Sequence, residues 1–99
     1  MMEFAELNDF SLWEARRQEG CFGKSNVEMI PANCLKLSKK IEEIRTLLKQ
    51  KNVETIKRKL SDDFADSIII MGILAKRLNI DLEDAVTNKM EIVRARKYK

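Results

Sequence analysis

Histidine is absent from the 99 residues, which removes the usual general base, the Ser/His and Cys/His nucleophile pairs and the common zinc ligand sets. Any catalysis has to run on carboxylates, on lysines, or on a hard metal ion held by oxygen ligands. Cysteine is limited to Cys21 and Cys34, which sit in unlike surroundings and form no CxxC pair, so reduced thiols are expected. Glycine occurs three times and Pro31 is the only proline, while Leu, Ile, Lys, Glu and Ala recur at helical intervals. Such a composition predicts an all-α chain. The one long apolar run, Ile68 to Ala75, is far shorter than the roughly 18 to 20 residues that cross a bilayer. The stretch MMEFAELNDF lacks the basic start and apolar core of a secretory signal. A cytoplasmic protein without a membrane partner is therefore expected. Nineteen basic and 16 acidic side chains give a net charge of +3, a mixed surface that does not by itself mark a nucleic-acid binder.

The length suits a single domain, residues 1–99, with one modest core. Residues 1–30 read as an N-terminal helix and loop. The helix is expected over about Asp9 to Gln18, with Phe10 and Trp13 on one side, stopping at Gly20; GCFGKSNVEMI then reads as the loop. From Pro31, which fits a first helical turn, Cys34, Leu37, Ile41, Ile44 and Leu48 recur in steps of three and four. This stripe leaves Lys36, Lys39, Lys40, Glu43 and Lys49 on the charged face. Asn52 can cap a further helix through Val53, Ile56 and Leu60, and Ser61 with two aspartates predicts a fresh cap or a bend. Whether the segments on either side of Ser61 join stays open. From Asp66 to Leu78 no polar face survives for two turns, so this helix should be enclosed on every side. A chain this small scarcely supplies that cover alone, and a homo-oligomer is expected to complete the core. Asn79 ends the helix, and Asp81, with Asp84 three residues later, opens a last one striped by Leu82, Val86, Met90 and Val93.

The chemistry-bearing stretch is DDFADSIIIMGILAKRLNI, residues 62–80. Asp63 and Asp66 are three apart and Asp62 and Asp66 four apart, which stacks carboxylates on one helical face. Asp62 and Asp63 have a simple alternative explanation as first-turn acids favoured by the helix dipole. Asp66 continues into Ile69, Ile70 and Ile73 and should be buried, where an unpaired carboxylate is costly. It should be neutralised by a cationic side chain such as Lys40, be protonated, or bind a cation. Upstream, Glu43 can pair with Lys39 and Glu42 with Arg45 as ordinary helix surface. The basic residues Lys57, Arg58, Lys59, Arg94, Arg96, Lys97 and Lys99 fit helix faces and a helix C-terminus, without the pattern of a nucleic-acid reader, so no nucleic-acid partner is expected.

Taken together, LKLSKKIEEIRTLLKQ and DDFADSIIIMGILAKRLNIDLEDAVTNKM resemble the MazG-type all-alpha nucleoside triphosphate pyrophosphohydrolases, including the dCTP pyrophosphatase branch, over roughly residues 31–98. Asp63 and Asp66 take the family's Glu-x-x-Asp positions, and IPANCLKLSKKIEEI matches its Glu-x-x-Glu helix with Lys40 in place of the first glutamate and Glu43 at the second. Lys89, Arg96 and Tyr98 resemble the family's closing helix, with Val93 where an asparagine is usual. The resemblance implies a helical bundle assembled as a dimer or tetramer, hydrolysing a (d)NTP to the monophosphate and pyrophosphate with Mg2+ or Mn2+. It implies that Glu43, Asp63 and Asp66 are catalytic metal ligands, with Glu42 and Asp62 as further candidates, and that Lys40, Lys89 and Arg96 meet substrate. Lys40 leaves two outcomes open: contact with phosphate, or pairing with Asp66 that closes the site. In the second case the chain is a catalytically degenerate relative that binds a nucleotide or a protein partner.

Overall fold

In the computed structural model, which describes residues 2–50 and 52–97, the chain is all-α, with four helices and no strand among those residues. They are α1 (Phe4–Phe22), α2 (Asn26–Leu47), α3 (Val53–Arg77) and α4 (Leu82–Ala95). Helices α1, α2 and α3 pack on one another, whereas no residue of α4 is buried. No helix among the described residues is long and apolar enough to cross a membrane.

The stretch expected to be a loop, residues 20–30, is largely helical. Helix α1 runs past Gly20 and ends at Gly23, whose left-handed φ of 61° a side chain would resist. Only two residues, Lys24 and Ser25, separate Gly23 from the start of α2. The Ser25 hydroxyl accepts from the Glu28 N–H while the Glu28 carboxylate accepts from the Ser25 N–H, a reciprocal capping box. Pro31 therefore lies inside α2, in its second turn rather than its first. No break occurs at Ser61 either. Its hydroxyl donates to the Lys57 carbonyl within a continuous α3, so Asp62 and Asp63 are mid-helix residues rather than first-turn acids. Asn79, with φ 55°, and the bond from the Ile80 N–H to the Ala75 carbonyl at 2.8 Å close α3. The Asp81 side chain, accepting from the Asp84 N–H, opens α4.

The face that α2 turns inward is one step away from the apolar stripe. Met29 and Asn33 are buried and Leu37, Lys40, Ile44 and Leu47 half-buried, while Cys34, Ile41 and Leu48 are exposed. Two polar residues occupy inward positions because their partners lie on the neighbouring helices. Asn33 accepts from Arg77 Nε at 2.6 Å, and Lys40 meets Asp66 at 3.2 Å. Within the single chain α3 is not enclosed all round, since Phe64, Ile68 and Met71 form an exposed ridge. Phe10 and Trp13 also face outward, their ring centroids 5.7 Å apart with the Arg17 guanidinium over Trp13. Both cysteines are free and exposed.

Small residues set the closest approach of α1 to α3. Ser11 and Ala15 are buried on α1, and a Cβ added at Gly72 would fall well inside contact distance of Ser11 Oγ. That hydroxyl has no hydrogen-bond partner among the described residues, and the next neighbours, Ser11 Cβ at 3.5 Å and Leu7 Cδ1 at 3.6 Å, leave room for a methyl group. Gly72→Ala alone should therefore lower stability by about 1 kcal/mol through the clash. The Ser11→Ala/Gly72→Ala pair should exceed the parent by about 1–2 kcal/mol, from helix propensity and removal of an unpaired buried hydroxyl. Urea unfolding of the two single variants and the double variant measures that coupling, and strictly additive values would refute it.

Candidate functional site

Asp63 projects from α3 on the same side as Ile56, Leu60 and Ile70, and its side chain is 0% exposed. This reverses the expectation for its neighbour: Asp66, one turn on, lies at the edge of the bundle with 41% of its side chain exposed. Asp62, Asp63 and Asp66 each present a carboxylate oxygen, and these atoms lie within 4.8 Å of one another. Ammonium groups from two helices enter the cluster. Lys40 of α2, 18% exposed, lies 3.2 Å from Asp66, 3.5 Å from Glu43 and 3.7 Å from Asp63 Oδ1. Lys59 of α3 donates to the same Asp63 oxygen at 3.1 Å.

The cluster raises both lysines above their ordinary range. For Lys40 the hydrogen bond to Asp66 leads, partly opposed by desolvation and reinforced by the charges of Glu43, Asp66 and Asp63. For Lys59 the hydrogen bond to Asp63 leads. Each ammonium is thus held cationic through neutral pH. Asp63 Oδ2 nevertheless has no hydrogen-bond partner among the described residues, although it is buried. A desolvated carboxylate oxygen of this kind is costly unless a further group reaches it. Oxygen donors set in this way suit a hard divalent cation, so the aspartates fit Mg2+ or Mn2+ whereas the Lys40 ammonium competes with it.

The remaining expected site residues divide. Glu43 joins the cluster through Lys40, with 47% of its side chain exposed. Glu42 does not, because it faces solvent and pairs with Arg45 at 2.6 Å. Lys89 lies elsewhere, on an α4 groove of about 460 Å³ with Val86, Met90, Val93 and Arg94. Arg96 is exposed just beyond α4 and forms no ion pair among the described residues. Tyr98 lies outside the described residues. Lys59 was not among the expected site residues, although its i,i+4 spacing to Asp63 is a signal the sequence carries.

An open groove of about 570 Å³ runs beside the cluster between α2 and α3, bordered by Lys39, Lys40, Glu42, Glu43, Thr46, Leu47 and Lys59. It offers cationic groups to an anionic ligand directly alongside carboxylates that could hold its counter-ion. No family model matches the chain, and comparison with curated proteins and with solved structures finds no similar one. The likeness to MazG-type proteins accordingly rests on the residues quoted above.

Proposed function

We propose that this chain is a MazG-type helical protein acting on nucleoside triphosphates, cleaving a (d)NTP to the monophosphate and pyrophosphate with Mg2+. The observation that carries the reading is the buried Oδ2 of Asp63, without a hydrogen-bond partner among the described residues, on an aspartate grouped with Asp62 and Asp66. Charge supports it as well. Among the described residues the four carboxylates Glu43, Asp62, Asp63 and Asp66 form ion pairs only with the ammonium groups of Lys40 and Lys59, so carboxylates outnumber the cations paired with them. In this role Asp62, Asp63 and Asp66 hold the ion, with Glu43 beside them. A bound Mg2+ supplies charge neutralisation and polarisation of a phosphoryl oxygen. Lys40 and Lys59, once released from the carboxylates, are placed to meet phosphate from the groove wall. Lys89 and Arg96 serve the same substrate only if another copy of the chain brings them near.

A second reading is favoured by the contacts of Lys40 with three carboxylates, which give the cluster its own resident cation. Under that reading the protein keeps the fold, has lost the reaction, and binds a nucleotide or a protein partner. Incubation with each canonical dNTP and NTP plus Mg2+ or Mn2+ separates the two. Pyrophosphate release that disappears in Asp63→Asn establishes the hydrolase, and no release from any of them establishes the degenerate relative.

The proposed bundle is completed by a second copy, for which the uncovered ridge Phe64, Ile68 and Met71 and the apolar stripe of α4 are the available surfaces. Sedimentation equilibrium should give at least a dimer that Ile68→Asp dissociates; a monomeric parent chain at micromolar concentration would remove this part of the proposal.

A further inference from the structure

The fold treats the two oxygens of Asp63 differently. Oδ1 accepts from Lys59 Nζ at 3.1 Å and lies 3.7 Å from Lys40 Nζ, so ammonium groups from two helices converge on it. Oδ2 is buried and has no hydrogen-bond partner among the described residues. Withdrawing the ammonium groups would leave a desolvated carboxylate uncompensated, which holds them at Oδ1 and leaves Oδ2 for a further ligand.

Lys40 also joins acids of both helices. Its Nζ stands 3.5 Å from Glu43 of α2 and 3.2 Å from Asp66 of α3. In phosphoryl-transfer sites with two divalent ions, the ions lie about 3.5–4 Å apart and gather carboxylates in the same way. At that separation a shared carboxylate serves both ions, each through its own oxygen. Asp63 is the buried acid of the cluster, yet its Oδ1 is already engaged. Asp62, Asp63 and Asp66 can still bring one oxygen each to within 4.8 Å of the others, a set of oxygen donors that suits one hard ion.

We infer that the site takes a single divalent ion on the α3 carboxylates, and that the ammonium groups of Lys40 and Lys59 supply charge where a second ion would otherwise stand. Both side chains border the α2–α3 groove, so this charge reaches the space proposed for phosphates. The inference rests on the metal-dependent reading given above, and its test needs neither nucleotide nor turnover. The full chain is titrated with MnCl2 by calorimetry, and the bound ion is examined by electron paramagnetic resonance in frozen solution. An isolated Mn2+ gives a simple hyperfine sextet, whereas two ions about 4 Å apart couple and split it further.

The parent protein should bind one Mn2+ per chain with the spectrum of an isolated ion. Lys40→Glu/Lys59→Gln frees Asp63 Oδ1 and adds a carboxylate, and should raise the stoichiometry from one ion to two with a coupled spectrum. Should that variant fail to fold, Lys40→Met/Lys59→Met keeps the acids of the parent and carries the same expectation. Two coupled ions in the parent, no bound ion, or a folded double variant that still takes only one would each overturn the inference. The gain from one ion to two, without pyrophosphate release by the parent, would uphold it while removing the hydrolase reading. Pyrophosphate release by a parent holding a coupled pair would do the reverse.

Discussion

Arg77→Met should destabilise the protein by about 3–5 kcal/mol, the range for removing one partner from a buried charged network. For a chain of this length that is a fall of about 15–30 °C in Tm. The Arg77 side chain is fully buried, and all three of its nitrogens are engaged: Nε with Asn33, Nη1 with Glu19 and Asn26, and Nη2 with Gln18 and the Ala15 carbonyl. Asn26 Nδ2 also donates to the Arg77 carbonyl at 3.0 Å. One side chain on α3 thereby ties the C-terminal half of α1 to the first turns of α2. Methionine approximates the length and removes the bond that Arg77 donates to the Glu19 carboxylate and to four other oxygens. Arg77→Lys should recover only a minor part, because an ammonium cannot reproduce the planar fork. Thermal melts followed by circular dichroism provide the measurement, and a shift below 5 °C for Arg77→Met would contradict this account.

Lys40→Glu should tighten Mg2+ binding on the order of a hundredfold, with Lys40→Met near tenfold, since the first changes the local charge by two units and the second by one. The steps follow from the position of the ammonium, within 3.7 Å of Asp66, Glu43 and Asp63. Without divalent ions the Lys40→Glu protein gathers five carboxylates around Lys59 and should melt below the parent; Mg2+ should restore it through linkage. Calorimetric titration with MgCl2 and melts in EDTA and in Mg2+ test both halves. An unchanged Mg2+ affinity in both variants would show that the carboxylates do not form a cation site, whatever the fate of nucleotides.

Much of the helical pattern is legible in the sequence because its signals are local. Asn52 and Asp81 are caps by residue type, and each side chain accepts the backbone N–H expected of a cap. The start of α2 carried an equally local signal, Ser25 with Glu28 three residues on, but Gly20, Gly23 and the Ser-Asn pair outweighed it. The phase of α2 was less accessible. Its apolar stripe shares Leu37 and Ile44 with the true inward face, yet that face includes Asn33 and Lys40, whose partners Arg77 and Asp66 lie 44 and 26 positions away. Apolar periodicity cannot register a polar residue that is buried because a distant partner satisfies it.

The same limit explains the exchange of roles between Asp63 and Asp66. Both spacings place the acids on neighbouring rows of α3, and only the packing of α2 decides which row is covered. Pairing of Lys40 with Asp66 was one of the outcomes the sequence left open, and the structure contains it.

The acidic cluster also creates a contrast of range in the protein's field. The chain as a whole carries +3, whereas in the cluster four carboxylates outnumber the two ammonium groups paired with them. Beyond a screening length of about 8 Å at physiological ionic strength a polyanion meets a nearly neutral object, and closer in it meets opposing poles a few ångströms apart. On the proposed reading a free triphosphate would be repelled by the carboxylates at the last step of its approach, and one that has already captured a divalent ion would be repelled less. Diffusional encounter would then favour the metal chelate, and added salt should slow its arrival only modestly.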